Sequence, residues 1–236
     1  MIDDLLGWLG ERIAQRPPGS RPLVTLSYAQ SLDGCLTLHA GSPSPISGPE
    51  SLDMTHHLRA AHDAILVGIG TVLADDPSLR VHRVEGRSPR PIVLDSHLRT
   101  PPGARLLTLG RGPWLAARTG TSSGRRAALE AAGAEVLALP AGDDGRVSLP
   151  ALLDTLAARG VASIMVEGGA GVITSFLRAD LADLAVLTVA PVLAGGYHAV
   201  GELGVEHWER LPRLRGMRTM QAGEDLILWG ELSRGG

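Results

Sequence analysis

Residues Ala64 to His82 read AILVGIGTVLADDPSLRVH, and the fold is read outward from them. Ala64-Ile65-Leu66-Val67 is a short continuous apolar run of the kind that makes a buried strand. Gly68 and Gly70 follow at once. Glycine lets a backbone approach a ligand closely and accepts dihedral angles that other residues avoid. Thr71 adds a hydroxyl, and Asp75-Asp76-Pro77 stops any helix that begins there. A strand that ends in glycines and runs into a polar turn is where open α/β sheets bind ligands. The same pattern also serves an ordinary strand-to-helix connection.

Strands and helices alternate on both sides of this stretch. Ile2, Leu5, Leu6, Leu9 and Ile13 share one helical face, and Pro17-Pro18-Gly19 ends that helix. Leu23 to Ala29 reads as the first strand, and Ser31-Leu32-Asp33-Gly34 as a turn. After a Gly/Ser/Pro loop at residues 40–45, Ser47 and Glu50 have the spacing of a capping box for a helix running to about Ala61. Strands are expected at Pro91–Leu94, Trp114–Ala117, Ala134–Leu139, Ala162–Val166 and Leu184–Ala190. Helices capped by Ser122 or Ser123 and by Ser148 fall between them, and another covers Gly171 to about Ala179. Arg213–Gln221 and Leu226–Leu232 read as a closing hairpin around Gly223-Glu224-Asp225. Such alternation means one α/β sheet domain with helices on both faces, taken as residues 20–236, preceded by an accessory helix in residues 1–19.

A second glycine cluster, Glu167-Gly168-Gly169-Ala170-Gly171-Val172, follows a strand and opens a helix. Backbone N–H groups bared by glycine at a helix N-terminus bind pyrophosphate, although a tight turn alone also accounts for the glycines. The Rossmann fingerprint fits neither cluster: Thr174 and Leu73 stand where a third glycine is required. The sequence therefore points to a dinucleotide site of another fold.

Composition narrows the field. The chain has 236 residues, 44% of them hydrophobic but only 3% aromatic, so its core is aliphatic. A net charge of −3 gives no electrostatic case for nucleic acid. Every Lys+Arg cation is an arginine, which excludes a Schiff-base or P-loop lysine. Cys35 is the sole cysteine, so disulfides within the chain and the P-C-x-x-C half of a zinc-deaminase signature are both ruled out. His56, His57 and His62 lack the pairing a metal site needs, and no metal is expected. No apolar run approaches the roughly 18 residues that span a bilayer, and acidic Asp3 and Asp4 do not suit a signal peptide. The expectation is a cytoplasmic protein with no nucleic-acid or membrane partner.

The stretch VGIGTVLADDPSLRVH resembles the signature of the riboflavin-pathway pyrimidine reductases. Tyr28–Gly34, Ile46–Glu50, Arg90–Ser96 and Val166–Gly171 agree with that family in order and spacing. The resemblance implies a dihydrofolate-reductase-like α/β fold, with a mixed, mostly parallel sheet and helices on both faces. It implies NADPH as cofactor, a phosphorylated ribosylaminopyrimidine as substrate and a homodimer, for which Leu226-Ile227-Leu228-Trp229 is a plausible interface strand. A deaminase would then be another protein. Carried over by position, the resemblance puts Ala29, Gly70, Thr71, Asp75, Ser96 and Gly168-Gly169-Ala170-Gly171-Val172 on the cofactor. It puts Ser27, Arg59, Leu79, His82 and Glu167 on the substrate, with Asp33 and Glu167 as catalytic candidates. His97, beside Ser96, is added here as a neighbour of the cofactor's 2′-phosphate.

There are departures from the family pattern. Pro43 and Pro45 stand where bacterial bifunctional members carry Ser-x-Trp, and Ser27 stands in place of a lysine. His82 replaces an arginine, as in the archaeal forms, and Cys35 replaces a basic residue. These favour, as the alternative, a reductase of the same fold acting on another pterin-like or pathway-specific substrate; the intact Thr71, Asp75 and Glu167 argue against a binding protein without turnover.

Overall fold

A computed structural model describes residues 2–42, 46–108 and 111–234; Pro43 and Pro45 lie outside them. The helices are α1 (Ile2–Ala14), α2 (Pro49–Ala61), α3 (Ile69–Asp75), α4 (Arg105–Thr108), α5 (Ser123–Ala131), α6 (Leu149–Ala158) and α7 (Ala170–Arg178). The strands are β1 (Leu23–Ser31), β2 (Cys35–Thr37), β3 (Ala64–Gly68), β4 (Arg90–Leu94), β5 (Trp114–Arg118), β6 (Glu135–Leu139), β7 (Ser163–Val166), β8 (Leu184–Ala190), β9 (Tyr197–His198), β10 (Pro212–Ala222) and β11 (Asp225–Arg234).

Nine strands form one sheet in the order β10-β11-β8-β1-β7-β3-β4-β5-β6. From β8 to β6 neighbours run parallel, and β11 and β10 close one side antiparallel. Parallel strands are buried on both faces, and β3 is buried at all five positions. Alternate residues serve opposite faces. Leu66, Ile92 and Ala116 pack with Leu152 and Leu156 of α6 and Ile173 and Phe176 of α7. Ile65, Val93 and Leu115 meet Val72, Leu106 and Leu129 of α3, α4 and α5. A third cluster on that second face joins Leu5 and Leu9 of α1 to Leu58 of α2 and Ile227 and Trp229 of β11. Helix α1 is thus docked on the sheet.

One local reading is corrected. Gly48, not Ser47, is the N-cap of α2, and no side-chain cap forms there. Pro49 opens the helix, and Asp225 Oδ2 accepts the Gly48 N–H at 2.9 Å, so the β10–β11 turn performs the tethering. Leu226–Trp229 falls on β11, where Ile227 and Trp229 face inward while Leu226 stays exposed. Strand β11 lies between β8 and β10, with Ile227 and Trp229 buried against α1 and α2. The edge strand on that side is β10, and β6 forms the opposite edge.

The sheet order creates the site. The chain builds β3 to β6 outward, then returns to place β7 between β1 and β3. The helices leaving β3 and β7 depart to opposite faces, which opens a crevice beyond the carboxyl ends of these strands. Beneath it, His62 ends α2, fully buried: its ring nitrogens lie 2.7 Å from the Leu58 carbonyl and 2.9 Å from Thr25 Oγ1. A neutral ring satisfies both, Nδ1–H donating and Nε2 accepting.

Burial holds the His62 pKa below its usual value near 6.5. Below that pH the unfolded chain binds a proton that the folded ring refuses, so stability falls as pH drops from 6.5. Replacing His62 with Gln should flatten this decline by about 1.4 kcal/mol per pH unit in urea titrations at pH 5.0–6.0. Identical slopes for the two proteins would mean that His62 is protonated in the folded state.

Candidate active site

A cleft of about 1120 Å³ lies over the ends of β3, β4 and β7, room enough for a cofactor-sized ligand. Both glycine clusters line it, together with Thr71, Asp75, Ser96 and His97. The glycines divide the labour. A Cβ on Gly68 would lie 2.7 Å from Val172 Cγ2, and one on Gly168 would lie 2.5 Å from Val172 Cβ. These two glycines let the first turn of α7 seat itself on the ends of β3 and β7. Gly70 and Gly171 have nothing within 4 Å of a Cβ position, so their bare backbone borders the cleft. Thr71 Oγ1 is 3.8 Å from the Cβ position of Gly169, which joins two motifs about a hundred residues apart. The caps of α3 and α7, Gly68 and Gly169, offer no side chain to the first N–H groups of those helices. A glycine-bared N-terminus of this kind suits a phosphate.

At the α2 side of the strand ends a second set of residues converges. The β1–β7 ladder ends at Leu26↔Val166, so Ser27 and Glu167 are next on neighbouring strands and share a face. Arg59 reaches Glu167 from α2. Its Nε and Nη2 donate to Glu167 Oε1 and Oε2, both at 2.6 Å, and its Nη1 donates to the Arg80 carbonyl at 3.3 Å. Both side chains are 16% exposed. The carboxylate raises the Arg59 pKa against the opposing effect of burial. A bidentate pair of this kind fixes geometry as well as charge. Glu167 also lines the cleft, so it borders both sets.

The remaining candidates are placed as follows. Ala29 shares the face of Ser27 on β1, outside the cleft lining. Leu79 is buried with φ +55°, and His82 is exposed beside the Arg80 carbonyl, 3.3 Å from its Nδ1. Asp33 lies apart from the cleft. Its carboxylate accepts from the Ser31 hydroxyl and from the N–H groups of Ala194 at 2.9 Å and Gly195 at 2.7 Å. These bonds hold its pKa well below the usual carboxylate range, Ala194 contributing most. In this arrangement Asp33 ties the β1–β2 turn to the segment after β8. Ser96 Oγ accepts the Val147 N–H at 3.1 Å and keeps its proton to donate.

Sequence reasoning missed several parts of the cleft wall. Leu36, Thr37 and Tyr197 come from β2 and β9, strands too short to show a pattern. Arg99 and Arg146 also line the wall, as cations in loops that carry no signal of their own. Among the described residues no group of three or more His, Cys, Asp or Glu is arranged to hold a metal ion.

The family model of the RibD C-terminal domain matches residues 22–228. The chain belongs to this family. It is 40% identical over 214 residues to a 2,5-diamino-6-ribosylamino-4(3H)-pyrimidinone 5′-phosphate reductase of Methanothermobacter thermautotrophicus, covering 88% of this chain and 97% of that one. Its structure is similar to RibD of Acinetobacter baumannii with a TM-score of 0.79 at 26% identity, over 91% of this chain and 59% of that one. The chain thus spans little more than half of that protein. A dihydrofolate reductase of Enterococcus faecalis complexed with NADP(H) shares the fold, with a TM-score of 0.52 at 14% identity over 91% and 97% of the two chains.

The glycine geometry sets a test. Gly168→Ala should destabilise the chain by about 1–3 kcal/mol through collision with Val172. Gly171→Ala should be neutral or stabilising by up to about 1 kcal/mol, since alanine favours helix. Equal losses in denaturant titrations would show that α7 is not seated as described.

Proposed function

We propose that the chain reduces a ribosylaminopyrimidine 5′-phosphate to the ribitylamino product with NADPH as hydride donor. The observation that carries this reading is the meeting of two sites at Glu167: a glycine-bared cleft on one side, and the Arg59–Glu167 pair with Ser27 on the other. Family membership supports it, as does the similarity to the Methanothermobacter thermautotrophicus pyrimidinone 5′-phosphate reductase.

The fit to a dinucleotide rests on the open Cβ positions at Gly70 and Gly171 and on the N-terminus of α7. Thr71, Asp75 and the turn from Gly168 to Val172 would hold it. Ser96, His97, Arg99 and Arg146 line the same cleft, a hydroxyl, an imidazole and two guanidiniums that suit the 2′-phosphate separating NADPH from NADH. When bound, NADPH supplies the hydride that the protein lacks. The residues bind and orient the substrate. Opening of its ribosylamine ring gives an imine with an electrophilic C1′. After its bonds to Glu167 and Arg80, the Arg59 guanidinium keeps one N–H on each Nη for the phosphate. Beyond the two bonds from Arg59, the Glu167 carboxylate keeps lone pairs that can accept from the base, and Ser27 can both donate to a carbonyl and accept from an amino group. His82 stands at the phosphate end. Asp33 is assigned no chemistry, because its oxygens are already engaged and its basicity is depressed. We take the diamino base to be used at least as well as the deaminated one, and the enzyme to act as a homodimer. Among the described residues no helix is long and apolar enough to cross a membrane.

Three measurements test this. NADPH oxidation should follow addition of the diamino pyrimidine, with NADH bound at least tenfold more weakly by fluorescence titration. Gly171→Val should weaken NADPH at least tenfold while the melting temperature holds. Arg59→Ala should raise KM for the phosphorylated pyrimidine by about tenfold or more, and Arg59→Ala/Glu167→Gln should be far less impaired than the product of the single losses, because the residues act as a pair. Equal use of NADH, or independent losses in the double variant, would defeat the reading.

A further inference from the structure

Residues 77–89, between α3 and β4, belong to no helix or strand, so their backbone groups need partners elsewhere. One face of α2 supplies them. Asp53, His56 and Arg59 are spaced three apart, which aligns them along the helix. Asp53 Oδ1 accepts from Arg83 Nε at 2.6 Å, and His56 Nδ1 accepts the backbone N–H of His82 at 3.2 Å. Arg59 Nη1 reaches the Arg80 carbonyl, which also lies 3.3 Å from His82 Nδ1. The two imidazoles meet edge to face, 4.4 Å apart, and His56 is only 4% exposed. The segment is held tightly: Leu79 keeps a left-handed backbone with its side chain buried, and Ser88 Oγ accepts the Val81 N–H at 3.1 Å.

An imidazole that accepts through Nδ1 carries its proton on Nε2 and is neutral. The surroundings favour that state. Burial is the largest influence on His56, followed by the charges of Arg59, His82 and Arg83; Asp53 opposes them, and the pKa falls to about 4. The acceptor therefore persists throughout the neutral range.

We propose that His56 is a positioning residue for the substrate's phosphate: its Nδ1 holds the His82 backbone, and so sets the Arg80 carbonyl and the His82 ring against the Arg59 guanidinium. The inference rests on the function proposed above. Without the acceptor the His82 N–H loses its partner, the Arg80–His82 segment shifts, and Arg59 loses its bond on the side away from Glu167.

Two variants separate this from a packing role. Asn at position 56 puts an amide oxygen close to where Nδ1 stands; Leu keeps comparable bulk without an acceptor. His56→Leu should raise KM for the phosphorylated pyrimidine about tenfold, with kcat and NADPH affinity within about twofold of wild type. It should also lose hydrogen-exchange protection at the His82 amide. His56→Asn should keep both properties within about threefold of wild type. If His56→Leu does not fold, His56→Gln, which displaces the acceptor, should raise KM at an unchanged melting temperature. Wild-type KM in a folded His56→Leu or His56→Gln, or equal impairment of His56→Asn and His56→Leu, would overturn the proposal. A wild type that reduces no phosphorylated pyrimidine defeats the function and the inference together, whereas active wild type with an unprotected His82 amide defeats the inference alone.

Discussion

The architecture of the site depends on one contact. Val172 occupies space that side chains on Gly68 and Gly168 would fill. Because interiors are packed densely, even one methyl at either glycine would force a shift. With that contact made, the first turn of α7 lies across the carboxyl ends of β3 and β7. Thr71 then comes beside Gly169, and two glycine clusters distant in sequence become adjoining parts of one cleft wall. The strand order makes the contact possible, since β7 returns between β1 and β3.

Glu167 follows from the same placement. It stands at the end of β7, one residue before Gly168, and cannot move without disturbing the seat of α7. Burying a carboxylate without a partner is expensive, and Arg59 answers it with two bonds at 2.6 Å. The pair binds α2 to the sheet, and α2 in turn carries His56 and Asp53, which order the segment after α3. The cleft wall and the α2 side of the site thus share a single mechanical frame, in which a change at Arg59 is felt at Glu167.

Much of this was legible in the sequence because it is written in local patterns. The apolar runs of β3, β4, β5 and β7 are continuous, as buried parallel strands require, and Ser122 and Ser148 cap their helices as their side chains suggest. The two glycine clusters were visible as half-motifs. What escaped depends on contacts between distant residues. The Ser47–Glu50 spacing suits a capping box, but Asp225, 177 residues away from Gly48, takes the N–H instead. Leu226–Trp229 is as apolar as an interface strand, and alternation divides it: Ile227 and Trp229 pack inside, under α1 and α2, while Leu226 stays exposed. Asp33 reads as a turn residue and, from the resemblance, a catalytic candidate, whereas Ala194 and Gly195 fold back onto its carboxylate. His56 offered no sign of its partner, which is a backbone N–H. Strands β2 and β9, of three and two residues, are too brief to leave a pattern.

The central claim is that the glycine-bared cleft delivers hydride to a carbon held by the Arg59–Glu167 end. The most direct measurement uses NADPH labelled with deuterium at the transferred C4 position, with the diamino ribosylaminopyrimidine phosphate as substrate and NMR of the isolated product. The account predicts one deuterium, located at C1′ of the ribityl chain. Label on the pyrimidine ring, label lost to water, or a reduced product without label would contradict it.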